Sequence, residues 1–179
     1  MKEEAFGMNK KVVIIALVLI CSIATVTLGE WTVHLFRDPI MSRDVWYADS
    51  PLTYPLKQMS FPPSGATAFI TIMFDGKNDS VTISFSSAPI IMNTRKENTY
   101  ELFTTNVVWD NVLEQVQFYR FPGSTILFFD DQKYAITRMR NSRTMILELN
   151  WYLNGTVYFM FDLTGASDAI NEIHAKFGK

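Results

Sequence analysis

The chain is almost without cysteine. Its single thiol, Cys21, stands in an apolar leader, and none follows from residue 30 onward. A disulfide framework and a cysteine metal site are therefore excluded from the part that folds. Histidine is scarce too. His34 falls on the polar face of a strand and His174 in the last helix, so both are expected to face solvent, with no local metal-ligand spacing. An excess of positive charge is missing: 16 Lys and Arg stand against 18 Asp and Glu, a formal net charge of −2. Nucleic-acid binding shows as a basic footprint, so no nucleic-acid partner is expected. There is no glycine-rich phosphate loop, no G-x-S-x-G, no internal repeat and no low-complexity tract. Proline is concentrated in one place, Ser50 to Gly65 (SPLTYPLKQMSFPPSG). Proline cannot donate to a ladder, so this stretch is not a central strand. It reads as a surface crossing between two parts of one sheet system.

What is present begins with the leader, residues 1–29. Asn9-Lys10-Lys11 is a positive n-region, and Val12 to Cys21 is almost wholly aliphatic. That length suits a signal h-region, and Ser22-Ile23-Ala24 and Thr27-Leu28-Gly29 both fit a small-residue cleavage site. A cleaved signal peptide is the favoured reading. The alternative is a retained anchor, because the uncharged run Val12 to Gly29 nears the roughly 17–25 residues that span a bilayer. The two lysines precede the apolar run, so the positive-inside rule places residues 30–179 outside the cytoplasm. The chain is then periplasmic or secreted, or inner-membrane anchored with its domain outside, touching the membrane only through residues 8–29.

Residues 30–179 read as one exported β-rich domain of ordinary length. Period-two alternation dominates. Trp31, Val33 and Leu35 share a face, and Val45 and Tyr47 repeat the pattern briefly. Ala68, Ile70, Ile72 and Phe74, then Val81, Ile83 and Phe85, flank Asp75-Gly76 and predict a hairpin. Val112 to Arg120 ends at Pro122-Gly123, and Ile126 to Phe129 is a short apolar run. Met145, Leu147, Leu149 and Trp151 pair across Asn154-Gly155 with Val157, Phe159, Phe161 and Leu163. The period then changes. Ala166, Ala169, Ile170, Ile173 and Phe177 make an amphipathic helix, and a shorter helix is expected near Lys133 to Ser142. The fold class is mainly β: an antiparallel β-sandwich or curled sheet of about seven to nine strands with a C-terminal amphipathic helix.

Chemistry is harder to find. Asp130-Asp131 is a lone carboxylate pair, a strand end or a helix start rather than a calcium site. Arg120, between Tyr119 and Phe121, is expected to be partly buried and paired with Glu114 or Glu148. Asn78-Asp79-Ser80 and Asn154-Gly155-Thr156 match the glycosylation acceptor pattern at turns. The basic cluster Arg138, Arg140 and Arg143 is the candidate binding site, for an anionic sugar, a lipid headgroup or an acidic partner; its rival reading is a solvated, charge-balanced face. No catalytic residue, no metal site and no cofactor is expected.

Three short patterns carry a resemblance: Gly29-Glu30-Trp31 with Asp38-Pro39-Ile40-Met41-Ser42-Arg43-Asp44, Tyr119-Arg120-Phe121, and Phe161-Asp162-Leu163-Thr164-Gly165 running into Ala169-Ile170. Together they resemble the TagO/VasI-like periplasmic proteins associated with type VI secretion. Members of that family commonly carry cysteines where this chain has Met73 and its tail Phe177-Gly178-Lys179. The resemblance implies an envelope accessory protein without an active site, whose partner is an envelope protein or cell-wall component. The expected function is thus non-enzymatic binding. An exported cell-wall or glycan hydrolase and a membrane-anchored structural protein are the alternatives.

Overall fold

The computed structural model describes residues 30–38, 43–62 and 65–177. The leader, with its cleavage sites and Cys21, lies outside the described residues. The alternating runs pair into one continuous antiparallel sheet of ten strands: β1 (Thr32–Asp38), β2 (Arg43–Asp49), β3 (Ala68–Phe74), β4 (Asp79–Phe85), β5 (Arg95–Lys96), β6 (Glu101–Trp109), β7 (Val112–Arg120), β8 (Ile126–Phe129), β9 (Thr144–Trp151) and β10 (Gly155–Asp162). The spatial order is β1-β2-β3-β4-β8-β7-β6-β9-β10, with the two-residue β5 beside β6. Two helices interrupt and close the chain, α1 (Gln132–Asn141) and α2 (Ala166–Phe177).

The sheet curls without closing into a barrel. Its concave face takes Ile70, Ile72, Val81, Ile83, Phe118, Leu127, Phe129, Met145, Leu147, Leu149 and Phe159, all with no exposed surface. These are the inward halves of the alternations read in the sequence. Each such side chain contributes roughly 1.5–3 kcal/mol by leaving water, so this core alone can hold a thiol-free domain together. The proline-rich segment behaves as expected. Thr53 exchanges backbone hydrogen bonds with Ala68 of β3 at 2.8 and 2.9 Å, and the Leu56 N–H donates to the Tyr158 carbonyl of β10 at 2.8 Å. It is a seam between the two flanks of the sheet, pairing one residue at a time.

Both helices lie over the end of the curl where β3 and β8 finish and β9 begins. Helix α1 packs on β4 and α2, and α2 packs on β1, β2 and β3. Asp131 caps α1 by accepting the Tyr134 N–H at 2.8 Å, the helix-start role expected of that carboxylate. Ala166, Ala169, Ile170 and Ile173 are the buried stripe of α2, whereas Phe177 is 37% exposed.

The sheet has ten strands where about seven to nine are expected, β6 among those the sequence does not show, and three local details also differ from the sequence reading. Strand β6 carries no clean alternation, because Thr105 occupies an inward position between Phe103 and Val107. Its hydroxyl donates to the Glu148 carbonyl at 2.7 Å, which makes the polar residue tolerable there. In β2 it is Ala48, buried, and Trp46, packed against the core, that turn inward. Val45 and Tyr47 face out, because Trp46 interrupts the apolar period and brings the larger ring to the core. At the start of the chain's first strand, Trp31, just before β1, and Val33 in it meet the core but Leu35 is 42% exposed, since this outermost strand runs past the end of the packing beneath it.

Candidate functional site

The three arginines do not converge. Arg138 bridges to Glu114 of β7 and lies over the Tyr134 ring at 5.6 Å. Arg140 points to the other side of α1 and donates to Asn171 of α2 at 2.7 Å. Helix α1 ends at Asn141, so Arg143 lies beyond it and shares no helical face with Arg140. The backbone N–H groups of Arg143 and Thr144 donate to Asp110 Oδ1 at 2.8 and 3.0 Å. Those two bonds hold the Asp110 carboxyl below the usual carboxylate range. Two of the three guanidiniums are thus committed to partners inside the fold.

Arg120 is buried, as expected, but its partner is Glu101 across the β6–β7 ladder, at 2.6 Å, together with the Pro89 carbonyl. Glu114 and Glu148, the acids named from sequence, sit on other strand positions. Glu114 instead closes a chain of contacts from Trp109 through the Tyr134 hydroxyl to Arg138. His174 is only partly open. Its Nε2 lies 2.6 Å from Asp79 Oδ1 and its ring stacks on Phe74 at 4.2 Å, pinning α2 to the β3–β4 hairpin. His34 stacks on Tyr47.

The convex face is where unassigned chemistry collects, and it has three zones. In the first, Tyr119 and Phe128 stack with centroids 5.0 Å apart, flanked by Tyr100 at 5.7 Å from Tyr119 and Phe121 at 5.9 Å from Phe128. Burial raises the Tyr119 pKa, and the charge of Asp130 adds to this. The second is a groove of about 250 Å³ where β6 and β9 part. They pair only at Val107, Val108 and Trp109. Beyond, Thr104, Thr105, Asn106, Gln115, Glu148, Asn150 and Thr156 line the opening over Phe103 and Ile91. Asn106 Nδ2 donates to Glu148 Oε1 at 3.2 Å, and the Glu148 charge and hydrogen bond raise the Tyr158 pKa.

The third zone is an apolar row. The registers set Met160 opposite Ile146, Ile146 opposite Val108, and Val108 opposite Leu113. The bridge between Pro55 and Phe159 places Tyr54 next in the same row, opposite Met160. Tyr54, Leu113 and Met160 are 68%, 64% and 47% exposed. Each residue looks like an isolated outward side chain in its own strand, and only the register aligns them. The polar triplet Thr104-Thr105-Asn106 inside an otherwise apolar strand was the one sequence signal for the groove. Among the described residues, no cluster of three or more His, Cys, Asp or Glu is placed to hold a metal ion, and no helix is long and apolar enough to cross a membrane.

Fold and surface together define a class: a mainly β domain of one curled antiparallel sheet, end-capped by two helices, with its polar and aromatic features displayed on the convex face. No protein-family model, no curated protein and no solved structure matches the chain.

Proposed function

We propose that the chain is an exported, non-enzymatic binding protein of the cell envelope, periplasmic or secreted, that acts as an accessory to an envelope assembly. The apolar row on the convex sheet face carries this reading. Large contiguous patches of exposed apolar surface mark interaction sites, and a row running across several strands suits a protein partner. The leader supports export, and the G-x-W opening, the Tyr119-Arg120-Phe121 stretch and the closing helix support kinship with the TagO/VasI-like accessory proteins of type VI secretion. Strand β1 offers a second contact, an outermost strand with Leu35 and Phe36 exposed, to which a partner strand can add. The hydrolase alternative wants two carboxylates about 5–10 Å apart in one cleft. The groove between β6 and β9 is lined by a single one, Glu148, already engaged by Asn106.

The test is capture from envelope extract by the wild-type chain and by a Leu113→Arg, Met160→Arg variant. A defined envelope protein retained by the first and lost by the second, with circular dichroism unchanged, is the expected result. Equal capture by both, or none above background by the wild type, removes the proposal.

A further inference from the structure

The opening between β6 and β9 is built unlike the rest of the sheet. Strand β6 is paired with β5 at Glu101 and Leu102 and with β9 from Val107 onward. On that side residues 103–106 have no strand partner among the described residues. The neighbouring chain does not fill the gap but skirts it. Met92 donates to the Asn150 carbonyl at 2.8 Å, and Asn93 follows with a positive φ of 63°. A residue other than glycine held in the left-handed region turns the chain away sharply, which keeps the groove open. The result is a recess whose walls are amides and hydroxyls.

Its hydrogen-bonding capacity is largely unspent. Asn93, Thr104, Gln115, Asn150 and Thr156 make no side-chain hydrogen bond among the described residues. Glu148 accepts from Asn106 at 3.2 Å, which helps to fix its carboxylate while leaving most of its roughly four acceptor positions free. Paired donors and acceptors on planar groups match adjacent ring hydroxyls. The volume, about 250 Å³, lies just below the roughly 300–1,000 Å³ of ordinary small-molecule pockets, so one ring fits rather than an extended ligand. Glu148 is the only charged residue in the lining and disfavours anions. The open main-chain edge spans four residues, shorter than the roughly 5–6 of a typical strand, which disfavours an added peptide strand as its occupant. One register step beyond the groove, Tyr119 stands opposite Leu102, and its ring is already stacked within the aromatic cluster of the convex face, which walls that end of the recess.

We infer that the split between β6 and β9 is a binding site for a neutral saccharide unit, held by Glu148, Gln115, Asn150 and Thr156. This rests on reading the chain as a binding domain and names a ligand class for it. The site lies beside the apolar row and not on it, so an envelope glycan and a protein partner can be engaged together.

The experiment is titration of the purified full chain with chitotriose as the neutral probe and a polygalacturonate fragment as the anionic one, followed by calorimetry and amide chemical shifts. Saturable chitotriose binding is expected, with shifts centred on Thr104, Gln115, Glu148 and Asn150 and no comparable response to the uronate. Glu148→Gln keeps the shape of the side chain and is expected to weaken binding about tenfold, the loss of one charge-assisted hydrogen bond. Gln115→Ala, at an exposed position, is a second variant with little effect on folding and is expected to weaken binding as well. No saturable binding at millimolar chitotriose, shifts confined to other surfaces, tighter binding of the uronate, or unchanged affinity in both variants each overturns the inference. If the wild type still captures an envelope protein through the Leu113–Met160 row in that case, the binding-domain reading stands and the ligand class alone falls.

Discussion

Arg120 and Glu101 face each other with side chains 8% and 13% exposed, and the guanidinium also donates to the Pro89 carbonyl. This ties the loop after β4 to the β6–β7 ladder at the end of the curl away from the helices. Removing one partner leaves an uncompensated buried charge. Arg120→Ala is therefore expected to cost about 3–5 kcal/mol, read as a lower urea midpoint, whereas a paired Arg120→Met, Glu101→Leu replacement recovers most of the loss. An unchanged midpoint for Arg120→Ala would show that the pair contributes nothing. Asp110 makes a different kind of contribution. It is exposed at the β6–β7 turn, and two backbone N–H groups lower its pKa. A carboxyl whose pKa is depressed by folding stabilises above its unfolded pKa, about 3.9, and that help is lost as pH falls through the folded value. The stability difference between the wild type and Asp110→Asn is expected to shrink steadily as pH falls below about 4, and to stay constant above about 6. A difference independent of pH in thermal melts from acid to neutral would exclude the charged form as the cause.

Among the elements, the β3–β4 hairpin and the last turn of α2 depend on each other. Gly76 has φ +92° at the hairpin tip, and a Cβ there would run into the Phe177 ring. Gly76→Ala is expected to destabilise by at least about 1 kcal/mol, from backbone strain plus the clash. In a Phe177→Ala background only the strain remains, so the two changes should be non-additive in a double-mutant cycle. Strict additivity would mean that the ring does not rest on the turn. The β9–β10 turn has its own clasp. Asn154 Oδ1 accepts the Ser60 N–H at 2.6 Å and the Phe61 N–H at 3.2 Å, while Nδ2 donates to the Phe61 carbonyl. One side chain thus secures the end of the proline-rich segment. Asn154→Ala is expected to raise amide exchange at Ser60 and Phe61 while leaving β3 protected. A glycan on Asn154 would take one of the two Nδ2 hydrogens and leave the two bonds to Oδ1 in place.

For the molecule as a whole, the inward face is saturated with apolar side chains and the convex face carries the surplus. Substitution of Leu113 and Met160 by arginine touches only that surplus. The urea midpoint is expected to stay within about 0.5 kcal/mol of wild type, in contrast to Ile170→Ala, where emptying a fully buried position under α2 costs about 2–5 kcal/mol. A large loss in the arginine variant would mean that the row belongs to the core. The same contrast explains what was legible in the sequence. Where one face is dry and the other wet, as in β3, β4, β9, β10 and α2, burial writes its period into the residues. Where a polar residue is held inside by a specific bond, as Thr105 is, or apolar residues sit outside, as Val45, Tyr47 and Val108 do, the period blurs. Arg138, Arg140 and Arg143 form a cluster only in sequence. Its side chains separate because a helix turns roughly 100° per residue and α1 ends before Arg143.

The residue pattern alone determined an antiparallel, mainly β fold built on two clear hairpins, a helix at its end, a proline-rich crossing and a thiol-free core, because each of these follows from local periodicity or from what a residue type cannot do. Tertiary structure decided that the strands form one curled sheet, that Arg120 pairs with Glu101, that Met160, Ile146, Val108 and Leu113 stand in line, and that β6 and β9 part to leave a polar recess. Those outcomes depend on register between strands far apart in the chain, and register is set by the packing of the entire concave face rather than by any one segment.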